Sequence, residues 1–467
     1  MTTLQKISRV CKAFPDRIAC EGDGETLTYG DLYRRAEAAT DCLNRQGKEP
    51  VILYGKKSVR TVISILACLM AGRAYVPVGG FVPSRRLHKI ASQSHATLIL
   101  GDGPLPGIPG TVCGDLASLD SFKGGAFIAP ENRFAYIIYT SGSTGEPKGV
   151  PISYENLDHF TDWITCLEPL RGFQAVNVLN QADFSFDLSV ADLYYALCGG
   201  HRLLLSGEAE DIYRDFGGWA RSCVAVVTPT CLRLCLHQDW FNASECPMLR
   251  CVFLCGEPLP PETVKKLFNV FPDISVINAY GPTEATCAVS AAVITKEMAE
   301  RLPLLPVGKA ESAAVRIEIE SGEIVLKGNS VFGGYLNGAS GGYFRQGDVN
   351  CYRTGDLGFY EDGWLFCRGR KDRQIKYKGY RIELDEIELQ IDRMEGVDAC
   401  AVTVKRDSAG AVTMIKAVYT GTAQPERIKE ALRRELPGYM VPKLIRRADS
   451  LPVNANGKLD RKALNEE

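Results

Sequence analysis

The sequence lacks an excess of either charge, a long apolar run and a secretory leader pattern. Its 54 lysines and arginines are matched by 56 aspartates and glutamates, which gives a formal net charge of −2. This balance argues against nucleic acid as the principal partner, because such proteins carry basic surfaces. The longest apolar run, at 61–71, is well short of the roughly 20 residues that span a bilayer. The first 20 residues carry charges where a signal peptide is apolar, so we expect neither secretion nor membrane insertion.

Paired cysteine motifs are also missing. The 17 cysteines are scattered and odd in number, with no C-x-x-C spacing and no histidine cluster beside Cys231 and Cys235. This pattern disfavours a disulfide framework and a zinc site. We therefore expect reduced thiols that are mostly buried as small hydrophobes, and a cytoplasmic protein. No repeat of 20–50 residues is visible, which excludes solenoids and propellers.

What is present indicates a large α/β protein. The 467 residues are 45% hydrophobic and 24% charged, ordinary values for globular proteins, and exceed the roughly 250–300 residues of a single core. Up to about residue 300, short apolar strands alternate with helices, such as those expected at 60–72 and 260–271. This alternation predicts α/β layers with parallel-rich sheets.

The texture changes after residue 300, where short strands with glycine turns predict a small β-barrel-like portion. We place a domain boundary so that residues 1–371 form a large N-terminal domain and 372–467 a small α+β domain. In the latter we expect a strand at 374–382, a helix that buries Leu384, Ile387 and Ile391 on one face, and a helix at 425–436.

A glycine-rich segment, TSGSTGEPKG at 140–149, follows the apolar strand FAYIIY. Glycines let the backbone approach a ligand, and successive N–H groups with hydroxyls can hold phosphate oxygens. Lys148 adds a cation, although the spacing differs from a Walker A loop. A flexible hairpin turn is the alternative, which eight hydroxyl, glycine or lysine residues in ten make less favoured.

Two further motifs could complete a nucleotide site. NAYGPTEAT at 278–286 follows another apolar strand, and ligands bind beyond the carboxyl ends of parallel strands. Tyr280 offers an aromatic face, Thr283 a phosphate donor and Glu284 an oxygen ligand for magnesium. Asp356, in YRTGDL, could accept hydrogen bonds from a ribose diol. A glycine–proline turn with a solvated glutamate, and a plain turn at TGD, are the alternatives.

Charged residues in three segments have open interpretations. Asp187, in FSFDLSVAD, is either a helix cap or a counter-ion for a substrate ammonium group. Residues 367–379, with Arg370 beside Asp372, could simply be a solvated charged face. Lys458 follows an Asn–Gly turn and is either a surface lysine or a mobile cation that reaches an anionic site.

Taken together, these motifs resemble the adenylate-forming superfamily over nearly the whole chain, from LTYGDL near the start to NGKLDRKAL at the end. The set TSGSTGEPKG, YGPTE, TGD and NGK, in this order, is highly specific. The segments FSFDLSVADLY, FLCGEPLP and GYMVPK are similar to those of amino-acid-activating members, and among these to the members that activate D-alanine.

The resemblance implies a role for each matching residue. Phosphates are expected at Thr140, Ser141, Thr144 and Lys148. Adenine and the α-phosphate are expected at Asn278, Ala279, Tyr280, Gly281, Pro282 and Thr283. Magnesium is expected on Glu284, and the ribose on Asp356 with help from Arg370. The amino acid is expected at Asp187 and Cys255, where the thiol would narrow the pocket and favour the D-enantiomer. Lys458 is the expected catalytic residue and Asp372 the expected hinge of a mobile C-terminal lid.

The resemblance also implies the reaction. A small amino acid, with D-alanine as the expected substrate, would react with Mg-ATP to give an aminoacyl adenylate, which a carrier protein's phosphopantetheine thiol would then capture. The resemblance to the members that activate D-alanine implies a role in lipoteichoic acid biosynthesis. A stand-alone peptide-synthetase adenylation enzyme for another amino acid, a CoA ligase and an inactive nucleotide-binding scaffold remain alternatives at this point.

Overall fold

The computed structural model describes residues 1–102, 105, 107–116, 133–142, 145–207, 212–309, 314–407, 410–452 and 461–466. Its α-helices are α1 (Thr3–Ala13), α2 (Tyr29–Arg45), α3 (Val59–Met70), α4 (Ser84–Ser94), α5 (Tyr154–Cys166), α6 (Leu188–Gly199), α7 (Phe216–Arg221), α8 (Pro229–Cys235), α9 (Pro261–Val270), α10 (Lys296–Arg301), α11 (Leu384–Asp392), α12 (Pro425–Glu435) and α13 (Arg461–Glu466).

The strands are β1 (Ile18–Gly22), β2 (Glu25–Thr28), β3 (Val51–Gly55), β4 (Tyr75–Gly79), β5 (Leu98–Gly101), β6 (Val112–Asp115), β7 (Phe134–Thr140), β8 (Lys148–Ser153), β9 (Asn177–Asn180), β10 (Arg202–Leu205), β11 (Val224–Val227), β12 (Cys251–Leu254), β13 (Ser275–Tyr280), β14 (Ser290–Ile294), β15 (Gly308–Lys309), β16 (Arg316–Glu320), β17 (Glu323–Lys327), β18 (Tyr343–Gln346), β19 (Val349–Glu361), β20 (Trp364–Arg370), β21 (Gln374–Tyr377), β22 (Tyr380–Glu383), β23 (Val397–Arg406), β24 (Val412–Gly421) and β25 (Leu444–Arg447).

The chain divides into two compact units. The first comprises Met1–Gly79, Gln93–Ile138 and Gly149–Lys371, and the second comprises Gly80–Ser92, Tyr139–Lys148 and Asp372–Glu467. The glycine-rich segment up to Lys148 therefore belongs to the second unit, together with most of α4 and the C-terminal residues. No helix in the described ranges is long and apolar enough to cross a membrane.

Two sheets of the first unit are mainly parallel. One has the order β14-β13-β12-β11-β9-β10-β1-β2, with antiparallel pairs only at its two ends, and the other has the order β6-β5-β3-β4-β7-β8. Strands buried on both faces read as continuous apolar runs, and VAVV of β11 and CVFL of β12 are buried at every residue. The predicted α/β class with parallel-rich sheets is confirmed. The predicted helices at 60–72 and 260–271 are α3 and α9.

The part of the first unit after residue 300 is antiparallel, as expected for the barrel-like portion. Its sheet has the order β15-β20-β19-β17-β16, with β18 also paired to β19. The long strand β19 carries the TGD motif, and Asp356 lies opposite Arg370 in its register with β20. Cross-strand neighbours on one face lie within reach of each other, so this register brings the two side chains together.

The second unit contains a hairpin, β21–β22, and a three-stranded sheet in the order β23-β24-β25. Helix α11 buries Leu384, Ile387 and Ile391, as predicted. The strand expected at 374–382 is wrong in one respect, because the chain reverses at Lys378 and Gly379, which have φ of 54° and 84°. Two consecutive residues with positive φ form the tight turn that suits a hairpin.

The thiols behave as predicted. All 17 cysteines are free, and most are buried. Burial raises the pKa of several of them, for example that of Cys20 to about 12, so that these thiols remain protonated and unreactive.

Candidate active site

Three neighbouring parallel strands of the first unit, β11, β12 and β13, end at the same edge of the larger sheet. Each is followed by residues that can contact a ligand: Thr228 after β11, Cys255 after β12 and the GPTE turn after β13. In open parallel sheets this edge is where ligands bind. Most of the residues that the sequence assigned to the nucleotide and the amino acid lie here or on the adjoining antiparallel sheet.

Asp356 is held between an aromatic donor and a cation. The Tyr280 hydroxyl donates to Asp356 Oδ2 at 2.7 Å, and Arg370 Nη1 lies 2.6 Å from Asp356 Oδ1. Burial, and next the negative charge of Asp356, raise the pKa of the Tyr280 phenol, which therefore stays a donor. An ionised carboxylate has about four acceptor positions, so two remain for hydroxyl donors of a ligand. The structure thus brings Arg370 to Asp356, as the resemblance implied, and adds a contact from Tyr280 that the sequence did not predict.

The turn after β13 is unusually tight. A Cβ atom on Gly281 would lie 2.5 Å from Ala288 Cα, so only glycine fits there. Further on, Thr286 and Cys287 have φ of 61° and 71°, in the left-handed region that costs about 1–3 kcal/mol for residues other than glycine. Asn278 is tied down by a 2.8 Å bond from its amide to the carbonyl of Pro306. Strain of this kind persists where surrounding contacts fix a functional loop.

The side chain of Asp187 does not cap a helix. Asp187 occupies the N-cap position of α6, but its carboxylate accepts no hydrogen bond from the N–H groups of the first turn. Instead, Asp187 Oδ2 accepts a 2.5 Å hydrogen bond from the hydroxyl of Thr283. The half-buried carboxylate therefore faces the GPTE turn, with the apolar side chains of Phe184 and Leu188 on its own segment buried. This arrangement favours the counter-ion interpretation over the cap.

Two thiols accompany Asp187. Cys255 is buried at the end of β12, and Cys287 is buried in the strained turn. Burial, followed by the charges of Asp187 and Cys255, raises the pKa of the Cys287 thiol. The predicted pocket residue Cys255 thus shares its surroundings with a second cysteine, which the sequence reasoning did not identify.

Glu284 is a fully buried carboxylate. Its Oε1 accepts a 2.5 Å hydrogen bond from the hydroxyl of Tyr335, which lies 3.3 Å from the Tyr352 hydroxyl. Among the described residues there is no group of three or more His, Cys, Asp or Glu side chains placed to hold a metal. One protein carboxylate is nevertheless compatible with Mg²⁺, which commonly takes its other ligands from water and substrate phosphates.

Within the second unit, Ser141 of the glycine-rich segment contacts the strand β22. Thr140 ends β7, and the half-buried Lys148 begins β8. The Ser141 hydroxyl donates to the carbonyl of Arg381 at 2.9 Å and accepts from the N–H of Glu383 at 3.0 Å. Thr144, and the expected catalytic residue Lys458, lie outside the described residues.

Asp372, the expected hinge, is the first residue of the C-terminal part of the second unit, and its Oδ1 accepts the N–H of Gln374 at 3.2 Å. Next to it in sequence, Lys371 pairs with Glu323 at 2.7 Å, and the same carboxylate accepts the N–H of Gly355 at 2.9 Å. Glu323 thus supports the TGD motif of β19. Sequence reasoning missed Glu323 and Tyr335, because neither lies in a recognisable motif.

Fold and site together define an α/β enzyme whose polar site lies at the carboxyl ends of parallel strands and on an adjoining antiparallel sheet. Residues 7–336 match the family model of the AMP-binding enzyme, and residues 386–458 match that of the AMP-binding enzyme C-terminal domain. The chain therefore belongs to the AMP-binding enzyme family, as the motifs predicted.

Curated relatives match the chain over its full length. The D-alanine–D-alanyl carrier protein ligase of Listeria monocytogenes serotype 4b (strain CLIP80459) is 36% identical over 510 residues, which cover 100% of this chain and 99% of that protein. The protein of the same name from Bacillus licheniformis is 37% identical over 505 residues, with the same coverage.

Solved structures share the fold. The Vibrio cholerae adenylation domain AlmE, in complex with glycyl-adenosine-5′-phosphate, has a TM-score of 0.87 at 24% identity, covering 99% of this chain and 97% of that one. Holo-PA1221, an NRPS protein containing adenylation and PCP domains, has a TM-score of 0.84 at 26% identity, covering 99% and 84%.

Proposed function

We propose that the protein activates D-alanine as an aminoacyl adenylate and transfers it to the phosphopantetheine thiol of a carrier protein. The proposal rests on the position of Asp187. Its carboxylate does not cap helix α6; it accepts a hydrogen bond from the Thr283 hydroxyl and lies beside buried apolar side chains and thiols. A carboxylate in such surroundings can form an ion pair with the ammonium group of an amino acid, an interaction that acids without an amine cannot make. The names of the full-length relatives support D-alanine and a carrier protein.

In the first half-reaction a carboxylate oxygen of the amino acid attacks the α-phosphorus of ATP, and pyrophosphate leaves. In the second, the carrier's sulfur attacks the adenylate carbonyl carbon, the thiol proton is lost and AMP leaves. The substrates supply both nucleophiles. The protein therefore accelerates the reaction by positioning the substrates and neutralising charge.

Each nucleotide group has a proposed holder. Asp356, buttressed by Tyr280 and Arg370, would accept the ribose hydroxyls. Residues 278–283 would bind adenine and the α-phosphate, and Thr140, Ser141, Thr144 and Lys148 the terminal phosphates. Glu284 would hold Mg²⁺, which when bound neutralises phosphate charge. Glu284 is a buried carboxylate and so offers the oxygen ligands that Mg²⁺ prefers.

The remaining assignments concern the C-terminal residues. Lys458 would place its ammonium group between the substrate carboxylate and the α-phosphate, for which a compact cation is suited. We propose residues 1–371 as an adenylation core and 372–467 as a lid that turns at Asp372 between the half-reactions. A proline at this position should then preserve adenylation and abolish thioester formation.

A loading assay tests the proposal. The enzyme is incubated with Mg-ATP, radiolabelled D-alanine and either a phosphopantetheinylated carrier protein or CoA. Label should appear on the carrier as a hydroxylamine-labile thioester. Label on CoA alone would identify a CoA ligase, and the absence of any labelled product would contradict the proposed reaction with D-alanine.

The Asp187→Asn variant tests whether the Asp187 carboxylate binds the ammonium group of the amino acid. Loss of one charge-assisted hydrogen bond costs about 1.5–3 kcal/mol, so the KM for the amino acid should rise about 10- to 150-fold while the KM for ATP stays the same. Asp183→Asn is the matched control, because the Asp183 carboxylate accepts the N–H of Ser185 at 2.9 Å within the same segment. Equal effects of the two substitutions would contradict the assigned role.

A further inference from the structure

The glycine-rich loop in the second unit is bound to a carboxylate. The N–H of Gly142 donates to Glu386 Oε2 at 3.0 Å. Gly142 lies in the middle of TSGSTG, where backbone N–H groups are expected to hold phosphate oxygens. Only glycine fits at position 142, since a Cβ atom there would lie 2.1 Å from the carbonyl oxygen of Glu146. The Glu386 carboxylate therefore accepts the hydrogen bond that the Gly142 N–H would otherwise donate to a phosphate oxygen.

Glu386 is held in place by a second contact. Arg86 Nη1 lies 2.6 Å from Glu386 Oε1, and the two side chains are 7% and 0% exposed. The guanidinium and the loop amide thus bind different oxygens of one carboxylate. When a phosphate takes over the amide, Glu386 retains its counter-charge, so that no unpaired buried charge remains. The contact is consequently one that a polyphosphate can displace.

Two other described residues of the loop, Ser141 and Gly145, lie against the strand before α11 and against α11, the helix that carries Glu386. The Ser141 hydroxyl donates to the carbonyl of Arg381, just before α11. A Cβ atom on Gly145 would lie 2.8 Å from Leu389 Cδ2, so this glycine packs closely against α11. In addition, Lys89 of α4 pairs with Glu146 of the loop at 3.0 Å. Donors that the motif offers to phosphate are therefore used by protein groups in this arrangement.

We infer that Glu386, paired with Arg86, is a positioning residue that binds the phosphate loop when no polyphosphate is present and competes with ATP and pyrophosphate for the Gly142 N–H. The inference rests on the proposed function only in taking this loop as the site of the terminal phosphates. Its consequence is that Glu386 weakens ATP binding and speeds the release of pyrophosphate.

The test compares wild type with Glu386→Gln, which removes the charge and keeps the shape. A charge-assisted bond is worth more than tenfold in affinity. We therefore expect the KM for ATP and the inhibition constant of pyrophosphate to fall by the same factor, about tenfold. A merely structural role would raise both constants or lower all activity. Unchanged or raised constants would overturn the inference.

Two further variants protect the test. Arg86→Gln with Glu386→Gln removes both buried charges, so a folding defect caused by an unpaired Arg86 is avoided, and it should show the same tighter binding. Glu435→Gln is the matched control, because Glu435 pairs with the neighbouring, exposed Arg85 and should leave both constants unchanged.

A binding measurement separates this inference from the proposed function. Inorganic tripolyphosphate should bind the Glu386→Gln variant about tenfold more tightly than wild type in calorimetry, without any amino acid. If wild type activates no amino acid but this difference is found, the proposed function fails and the inference stands. If activation is found and the difference is absent, the inference fails alone.

Discussion

The carboxylate of Asp356 offers a sharp test of how the site recognises a nucleotide. It is engaged by Tyr280 at 2.7 Å and Arg370 at 2.6 Å, and its side chain is only 10% exposed. The Asp356→Asn substitution keeps the shape and removes the charge. Each charge-assisted bond from a ribose hydroxyl is worth about 1.5–3 kcal/mol, so the KM for ATP should rise by about 10- to 150-fold.

The assay is amino-acid-dependent ATP–pyrophosphate exchange with ATP and with 2′-deoxy-ATP. Wild type should prefer ATP, and Asp356→Asn should lose most of that preference, because the hydroxyl no longer meets a charged acceptor. Asp362→Asn is the control: it lies in the turn of the same β19–β20 hairpin at φ 48°, which asparagine also tolerates. If Asp356→Asn discriminates between the two nucleotides as wild type does, the ribose assignment is refuted.

Two predictions concern stability, each measured by chemical denaturation. The Tyr136 hydroxyl is fully buried and has no hydrogen-bond partner within the described ranges, so Tyr136→Phe should raise the free energy of unfolding by about 1–3 kcal/mol. Tyr194→Phe removes a 2.9 Å hydrogen bond to Tyr75 and should lower the free energy of unfolding. A change of the same sign in both variants would contradict this interpretation of the two hydroxyls. Burial, and next the charge of Arg17, lower the pKa of His201 to about 4. In the unfolded chain His201 binds a proton at about pH 6.5, whereas in the folded protein it does so only at about pH 4. The free energy of unfolding should therefore fall by about 3 kcal/mol as the pH drops from above 6.5 to 4. His201→Gln should flatten this dependence, and an unchanged slope would show that other groups cause it.

Much of the fold could be predicted because its signals are local. Apolar runs alternating with amphipathic helices identified the parallel layers, and the spacing of Leu384, Ile387 and Ile391 identified the buried face of α11. The hairpin within 374–382 was missed because a Lys–Gly turn interrupts an otherwise uniform strand pattern. The reversal there depends on backbone conformation rather than on apolar spacing.

The site was predictable where a motif supplies both partners and not where distant residues meet. Asp356 and Arg370 lie 14 residues apart on paired strands, and both belong to segments that the sequence singled out. Asp187 and Thr283 are 96 residues apart, so the sequence left the cap and the counter-ion open. Arg86 and Glu386 are 300 residues apart and lie in no motif of known chemistry, so only the fold brings them together.

The most direct test of the account is ATP–pyrophosphate exchange by the wild-type protein with D-alanine, L-alanine, glycine, serine and proline compared side by side. The assay needs no carrier protein and reports the first half-reaction alone. We expect strong exchange with D-alanine and much weaker exchange with L-alanine. Preference for an L-amino acid would contradict the proposed substrate, and exchange with none of them would contradict the pairing of Asp187 with an ammonium group.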